Sequence, residues 1–156
     1  MTTPIPIEMK KSEACFLDAG ASEDPSLANK PDEPPFKMTL NANKVEFPFA
    51  PLGKPVSVII RLHNPLPKRQ TFKIRCTSTD IFRVAQPIGF VNPHTTILIA
   101  IWFTNDNKES AINKKHFFAF YHKMAFAAAR LAPPLWKEGK KDWEGVRRIP
   151  VCFLGR

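Results

Sequence analysis

The stretch FKIRCTSTDIFRV, residues Phe72 to Val84, begins as a regular alternation and then abandons it. Phe72, Ile74 and Cys76 fall on one side of an extended chain, and Lys73, Arg75 and Thr77 fall on the other. A period of two is the signature of a strand with one buried and one wet face. With Thr77 begin three small polar residues, Thr77 to Thr79, then Asp80 and Ile81, before a short apolar run resumes at Phe82 and Val84. The basic side is either a docking surface for an acidic partner or the ordinary solvent face of a sheet. Alternation alone does not separate the two.

Working outward, the same texture recurs on both sides. FKMTL and KVEF come first, separated by NAN. PVSVIIRLH places Val56, Val58, Ile60 and Leu62 on one face, with Ile59 breaking the pattern on the other. NPLPKR is a bend: Asn64 stands before Pro65, which disfavours the α region, and the two prolines and two bases suit solvent. Beyond FRV, QPIGFVNPHT reads as a turn-rich connection into TTILIAIWF, a run apolar on both faces and so a central strand. TNDNKESAINK is a polar loop, and HFFAFYH an aromatic strand. MAFAAARLA predicts a helical turn or two stopped by Pro133 and Pro134, and GVRRIPVCFLG a last strand. About seven short strands separated by turn residues predict an all-β, immunoglobulin-like β-sandwich.

The 156 residues divide into a leader, 1–35, and one domain, 36–156. The leader is proline-rich and acidic, with three Lys/Arg against seven Asp/Glu, which predicts an extended or disordered arm. The domain carries twenty against seven, so the net charge of +9 hides a strongly basic body. Such a body suits nucleic acid, an anionic membrane or an acidic protein, and equally a lysine-rich soluble surface. With 44% hydrophobic residues, sixteen prolines and thirteen phenylalanines, the chain is globular and poor in long helices.

Several classes are disfavoured. No secretory signal opens the sequence, and no apolar run approaches the roughly 20 residues of a transmembrane helix. Cys15, Cys76 and Cys152 are an odd count without metal-ligand spacing; Cys76 and Cys152 lie on apolar sides of strands and are expected as buried reduced thiols. His116 and His122 are about 20 Å apart along an extended chain, too far for one metal. A phosphate loop, a nucleophile elbow and a paired-carboxylate motif are all missing, so no catalytic residue, cofactor or metal is expected. HFFAFYH lacks the glycine–aromatic pattern of RNA-binding sheets, and the bases of KEGKKDW read as solvated loop charge, so nucleic acid is not an expected partner.

The pieces together resemble the major sperm protein (MSP) domain of nematodes, from about Lys44 to Phe153. ANKVEFPFAPLGKPVSVIIRLHNP is similar to the family's opening strands, FKIRCTSTDIFRV to its basic-threonine strand, and QPIGFVNP to its proline-rich connection. DWEGVRRIPVCF resembles the aromatic-Gly-Val-Arg-Arg ending of sperm-type members. The resemblance implies a seven-stranded immunoglobulin-like sandwich that binds proteins and is no enzyme. It implies a cytoplasmic, cytoskeletal protein that forms dimers and filaments supporting sperm crawling, alone or with other MSP-domain or cytoskeletal proteins.

The alternative is the branch of vesicle-associated-membrane-protein-associated (VAP) proteins, which bind acidic peptides containing phenylalanine. Carried over to this chain, that site comprises Lys73, Arg75, Thr77 and Ser78 on one strand, with His116 and Phe118 on its aromatic neighbour. Asp80 and Ile81 replace a basic pair of those relatives, which repels an acidic ligand. Neither a coiled coil nor a tail anchor of that branch is seen in the sequence. Of Arg147 and Arg148, strand alternation allows only one on a given surface.

Overall fold

The computed structural model describes residues 24–106 and 114–155. Among the described residues nine strands make two sheets: β1 (Thr39–Leu40), β2 (Val45–Phe47), β3 (Pro55–His63), β4 (Gln70–Cys76), β5 (Phe82–Val84), β6 (Ile88–Val91), β7 (Thr96–Thr104), β8 (Phe117–Met124) and β9 (Gly145–Phe153). The first sheet runs β1-β3-β7-β5 and the second β2-β9-β8-β4-β6. Pairing is antiparallel except between β2 and β9. The immunoglobulin-like sandwich expected from the sequence is what forms.

FKIRCTSTDIFRV crosses from one sheet to the other. Phe72 to Cys76 belongs to β4 in the second sheet, and Phe82 to Val84 to β5 in the first. The alternation lapses at residues 77–81 because that segment crosses between the layers, tied to β8 at Thr77 and to β7 at Ile81 and turning in between. Phe72 and Phe82 both reach the core from opposite sides. Phe82 stacks on Phe47 at 5.7 Å and meets Phe118 edge-on at 5.1 Å, while Phe103 and Phe153 close at 4.7 Å. Edge-to-face and offset rings are the arrangements that aromatic quadrupoles favour. Phenylalanine thus fills the gap between the sheets where smaller apolar residues would leave voids.

Four expectations need correction. QPIGFV is more than a connection: its Ile88–Val91 is strand β6, paired with β4. Gly89 is required there, since an added Cβ would lie 2.9 Å from the Phe72 ring. MAFAAARLA forms no α-helix; its first residue ends β8, and one 3-10 turn follows at Pro133–Leu135. Two prolines remove amide donors, which suits a single tight turn and not a continuing helix. NPLPKR forms the exposed bend expected of Pro65, Pro67 and Lys68, but Asn64 at its head is fully buried: its amide donates to the carbonyls of Lys68, Val91 and Asn92, and its Oδ1 accepts from Leu66 N–H. Finally, Cys76 is free but Cys152 is disulfide-bonded. Burial on a strand does not distinguish a thiol from a disulfide.

β7 is central in its sheet, between β3 and β5, but its second face is open. Leu98 is 59% exposed and Ile59 of β3 is 50% exposed. The polar loop expected at 104–114 lies largely outside the described residues.

Candidate functional site

The outer face of the second sheet gathers the basic residues that the sequence singled out. In β4, Phe72 and Ile74 point into the core, which turns Lys73 and Arg75 outward. Register then sets two rows: Arg75, Ala119 and Arg148 lie side by side, as do Lys73, Tyr121 and Val146. Directly paired residues share a face. Small Ala119 between two arginines leaves a groove, floored by Phe117, Ala119 and Tyr121 and flanked by Arg75 and Arg148.

The face continues into a cleft of about 200 Å³ lined by Lys73, Arg75, Tyr121, Trp136, Lys140 and Trp143 among others. Its far wall is the segment after β8, held by a buried lysine. Lys123 Nζ donates to both carboxylate oxygens of Asp142 at 2.9 and 2.8 Å and to Leu135 O at 2.6 Å. Its ammonium sits 4.7 Å from the centre of the Trp136 ring, and Trp136 Nε1 donates to Thr71 Oγ1 at 2.9 Å. Trp143 meets Tyr121 edge-on at 4.9 Å. A concave surface of aromatic rings rimmed by ammonium and guanidinium groups suits a chain bearing carboxylates and an apolar anchor.

The six candidate residues separate. Lys73, Arg75 and Thr77 share the outer face and its end. Thr77 Oγ1 lies 3.0 Å from His116 Nδ1, and His116 is itself buried, edge-on to Phe82 at 5.1 Å. Ser78 donates to the carboxylate of Asp80. Phe118 is 0% exposed and packs in the core against Phe82. It cannot line a surface groove, because β8 turns its odd-numbered neighbours Phe117, Ala119 and Tyr121 outward instead. Sequence reading missed Tyr121, Trp136 and Trp143, although the KEGKKDW run carried the signal of aromatic and basic residues together. Arg147 and Arg148 divide as alternation requires: Arg147 pairs with core-facing Phe120 and Arg148 with Ala119.

One end of the face is already occupied. Residues 24–37 turn twice, meet the backbone of β9 at Val146 and line one side of the groove. Arg148 donates two hydrogen bonds to the Glu33 carboxylate, at 2.9 and 2.8 Å, and both side chains are 10% exposed. The guanidinium holds the Glu33 carboxyl down at about 2. Asn29 Nδ2 donates to Val146 O at 3.0 Å, and Val146 N–H to Pro34 O at 3.2 Å. Lys37 N–H donates to His122 Nε2 at 3.0 Å, which leaves the Nδ1 proton to meet Gln70 Oε1 at 2.9 Å. Burial, aided by the Lys37 charge, pushes His122 down to about 4. The ring fits because residue 145 is glycine; a Cβ there would lie 2.3 Å from Nε2.

Among the described residues, no cluster of three or more His, Cys, Asp or Glu side chains is arranged to hold a metal ion. No helix among them is long and apolar enough to cross a membrane.

Comparison with known proteins agrees with this architecture. The family model for the MSP (Major sperm protein) domain matches residues 37–142. Caenorhabditis elegans has an uncharacterized protein, R05D3.5, that is 42% identical over 161 residues, covering 89% of this chain and 86% of the relative. A second from the same nematode, ZC262.1, is 46% identical over 119 residues, covering 76% and 88%. Among solved structures, the C. elegans MSP-domain-like protein SSP-19 superposes with a TM-score of 0.59 at 20% identity, covering 75% of this chain and 99% of that one. With the sandwich, the basic β4 and the matched span in agreement, this chain belongs to the MSP domain family.

Proposed function

We propose that this protein is a non-enzymatic cytoskeletal subunit that self-associates into dimers and, through them, filaments of the kind that support nematode sperm crawling. The MSP domain is a protein-interaction domain, and close relatives of this chain occur in a nematode. The observation that carries the reading is the exposed pair Ile59 and Leu98 on the open face of the first sheet, set between Arg61 and Arg83. Ile59 pairs with Ala100 and Arg61 with Leu98, so Ile59 and Leu98 are diagonal neighbours on one surface, beside Trp102. Contiguous exposed apolar residues on a charged protein mark an interaction surface. A net charge of +9 opposes association of identical chains, so assembly strengthens as salt screens it. The reading places the protein in the cytoplasm, with other MSP-domain or cytoskeletal proteins as partners.

Sedimentation velocity across a concentration series tests this. The wild type is expected to form dimers or larger species, and Leu98→Lys to stay monomeric with an unchanged fold. A wild type that remains monomeric at millimolar concentration and 0.5 M salt overturns the reading.

The cationic aromatic cleft favours a second reading, a VAP-like adaptor for short acidic peptides containing phenylalanine. Lys73, Arg75 and Thr77 support it, and Asp80 opposes it. Titration with an acidic two-phenylalanine peptide is expected to give saturable binding that tightens in Asp80→Lys. No binding to either form rejects it.

A further inference from the structure

We propose that residues 24–35 are an intramolecular ligand of the outer face of the second sheet, a strap that competes with acidic peptides for the groove beside β9. The proposal deepens the adaptor reading and rests on it. Three independent features place the strap in a ligand's position.

The first is charge. The segment DPSLANKPDEPP carries Asp24, Asp32 and Glu33 against Lys30 alone, and Asp24 and Glu33 each meet a cation of the domain. Glu33 takes both donors of Arg148, and Asp24 lies 3.6 Å from Lys115. The second is backbone pairing. Pro35 forms a parallel bridge with Val146, beside the half of β9 that β2, paired only at Val151–Phe153, leaves open. Residues 25–27 and 31–33 are turns, so the segment meets the backbone of β9 at this bridge and is not an added strand. Two adjacent prolines, Pro34 and Pro35, lower the entropy lost on ordering it.

The third is overlap. Pro25, Ser26, Ala28 and Lys30 form one wall of the groove whose other wall is Arg75 and Thr77 and whose floor includes Tyr121. Arg75 and Tyr121 also line the aromatic cleft, so a peptide lying in the cleft and extending along β8 reaches the strap. Because the strap is tethered, its effective concentration is in the millimolar range, and an incoming peptide binds only to the fraction of molecules with the strap lifted.

The test uses the full chain in three forms: wild type, Glu33→Gln combined with Asn29→Ala, and Lys115→Glu. The double variant removes the main grips; Lys115 is 91% exposed, so its reversal loosens the Asp24 end without touching the core. Amide hydrogen exchange at Leu27, Glu33 and Val146 reports strap opening, and fluorescence anisotropy reports binding of a labelled acidic two-phenylalanine peptide and of a synthetic peptide of residues 23–35. Expected are faster exchange and at least tenfold tighter binding of both peptides in the double variant, and a two- to threefold gain in Lys115→Glu. If the double variant exchanges faster yet binds both peptides no better than wild type, the strap is no competitor and the proposal fails. If exchange in the wild type is already as fast as in a free peptide, the strap is not docked and the proposal fails. If the opened form gains affinity for the 23–35 peptide while no form binds the phenylalanine peptide, the strap stands and the adaptor reading falls.

Discussion

His122 makes the junction between strap and sheet sensitive to mild acid. Its ring is fully buried, accepts the Lys37 amide at Nε2 and donates from Nδ1 to Gln70. Protonation at Nε2 would set N–H against N–H with no water to relieve it. Unfolded, the group titrates near 6.5; folded, it resists protonation until about 4. The unfolded chain therefore binds the extra proton first, and stability is fully present above pH 6.5 and lost as pH falls towards 4. Between those limits the loss is about 3 kcal/mol, of which about 2 kcal/mol is gone by pH 5. Urea unfolding at pH 7, 6 and 5 measures it. The wild-type midpoint is expected to fall, while His122→Asn, less stable at pH 7, loses much less over the same interval. His63, His94 and His116 are common to both proteins, so the difference isolates His122. Equal pH slopes in the two proteins would refute the reasoning.

Other substitutions probe separate parts of the structure. Asn64→Ala removes the donor to the buried Val91 carbonyl and the acceptor of Leu66 N–H, while the carbonyls of Lys68 and Asn92 keep Gln70 Nε2 and Thr95 as donors; it is expected to cost about 1–3 kcal/mol, read from the urea midpoint. Gly145→Ala forces the His122 ring and the Pro35 carbonyl aside; about 2 kcal/mol of destabilisation is expected, with accelerated exchange at Lys37. Lys123→Met releases the Asp142 segment at a cost of about 1–2 kcal/mol, and tryptophan emission should shift to the red as Trp136 and Trp143 meet water.

The sandwich was legible because its strands announce themselves by a period of two and its breaks by proline and asparagine. Phe72 and Phe82 sit on opposite walls of one core, and the lapse in alternation between them is the passage between sheets. β6 was less visible because Gly89 interrupts its pattern for a reason only the neighbouring Phe72 ring supplies. Asn64 looked like a turn residue and is a buried knot, since its partners at Val91 and Asn92 come from a distant connection. At the site, Lys73 and Arg75 were readable from strand alternation. Phe118 was misplaced because the aromatic strand is apolar on both faces, so its phase could not be fixed without the register to β4 and β9. The contacts of residues 24–37 depend on Arg148, Val146 and His122, more than eighty positions away, and local composition holds no trace of them.

The association state of the purified full chain tests the central claim most directly. Sedimentation velocity of the wild type and Leu98→Lys at rising concentration in 0.1 and 0.5 M salt should show reversible dimers or larger assemblies for the wild type, favoured by salt, and monomers for the variant. A wild type that stays monomeric throughout, or a variant that assembles equally well, would contradict an account built on the Ile59–Leu98 face.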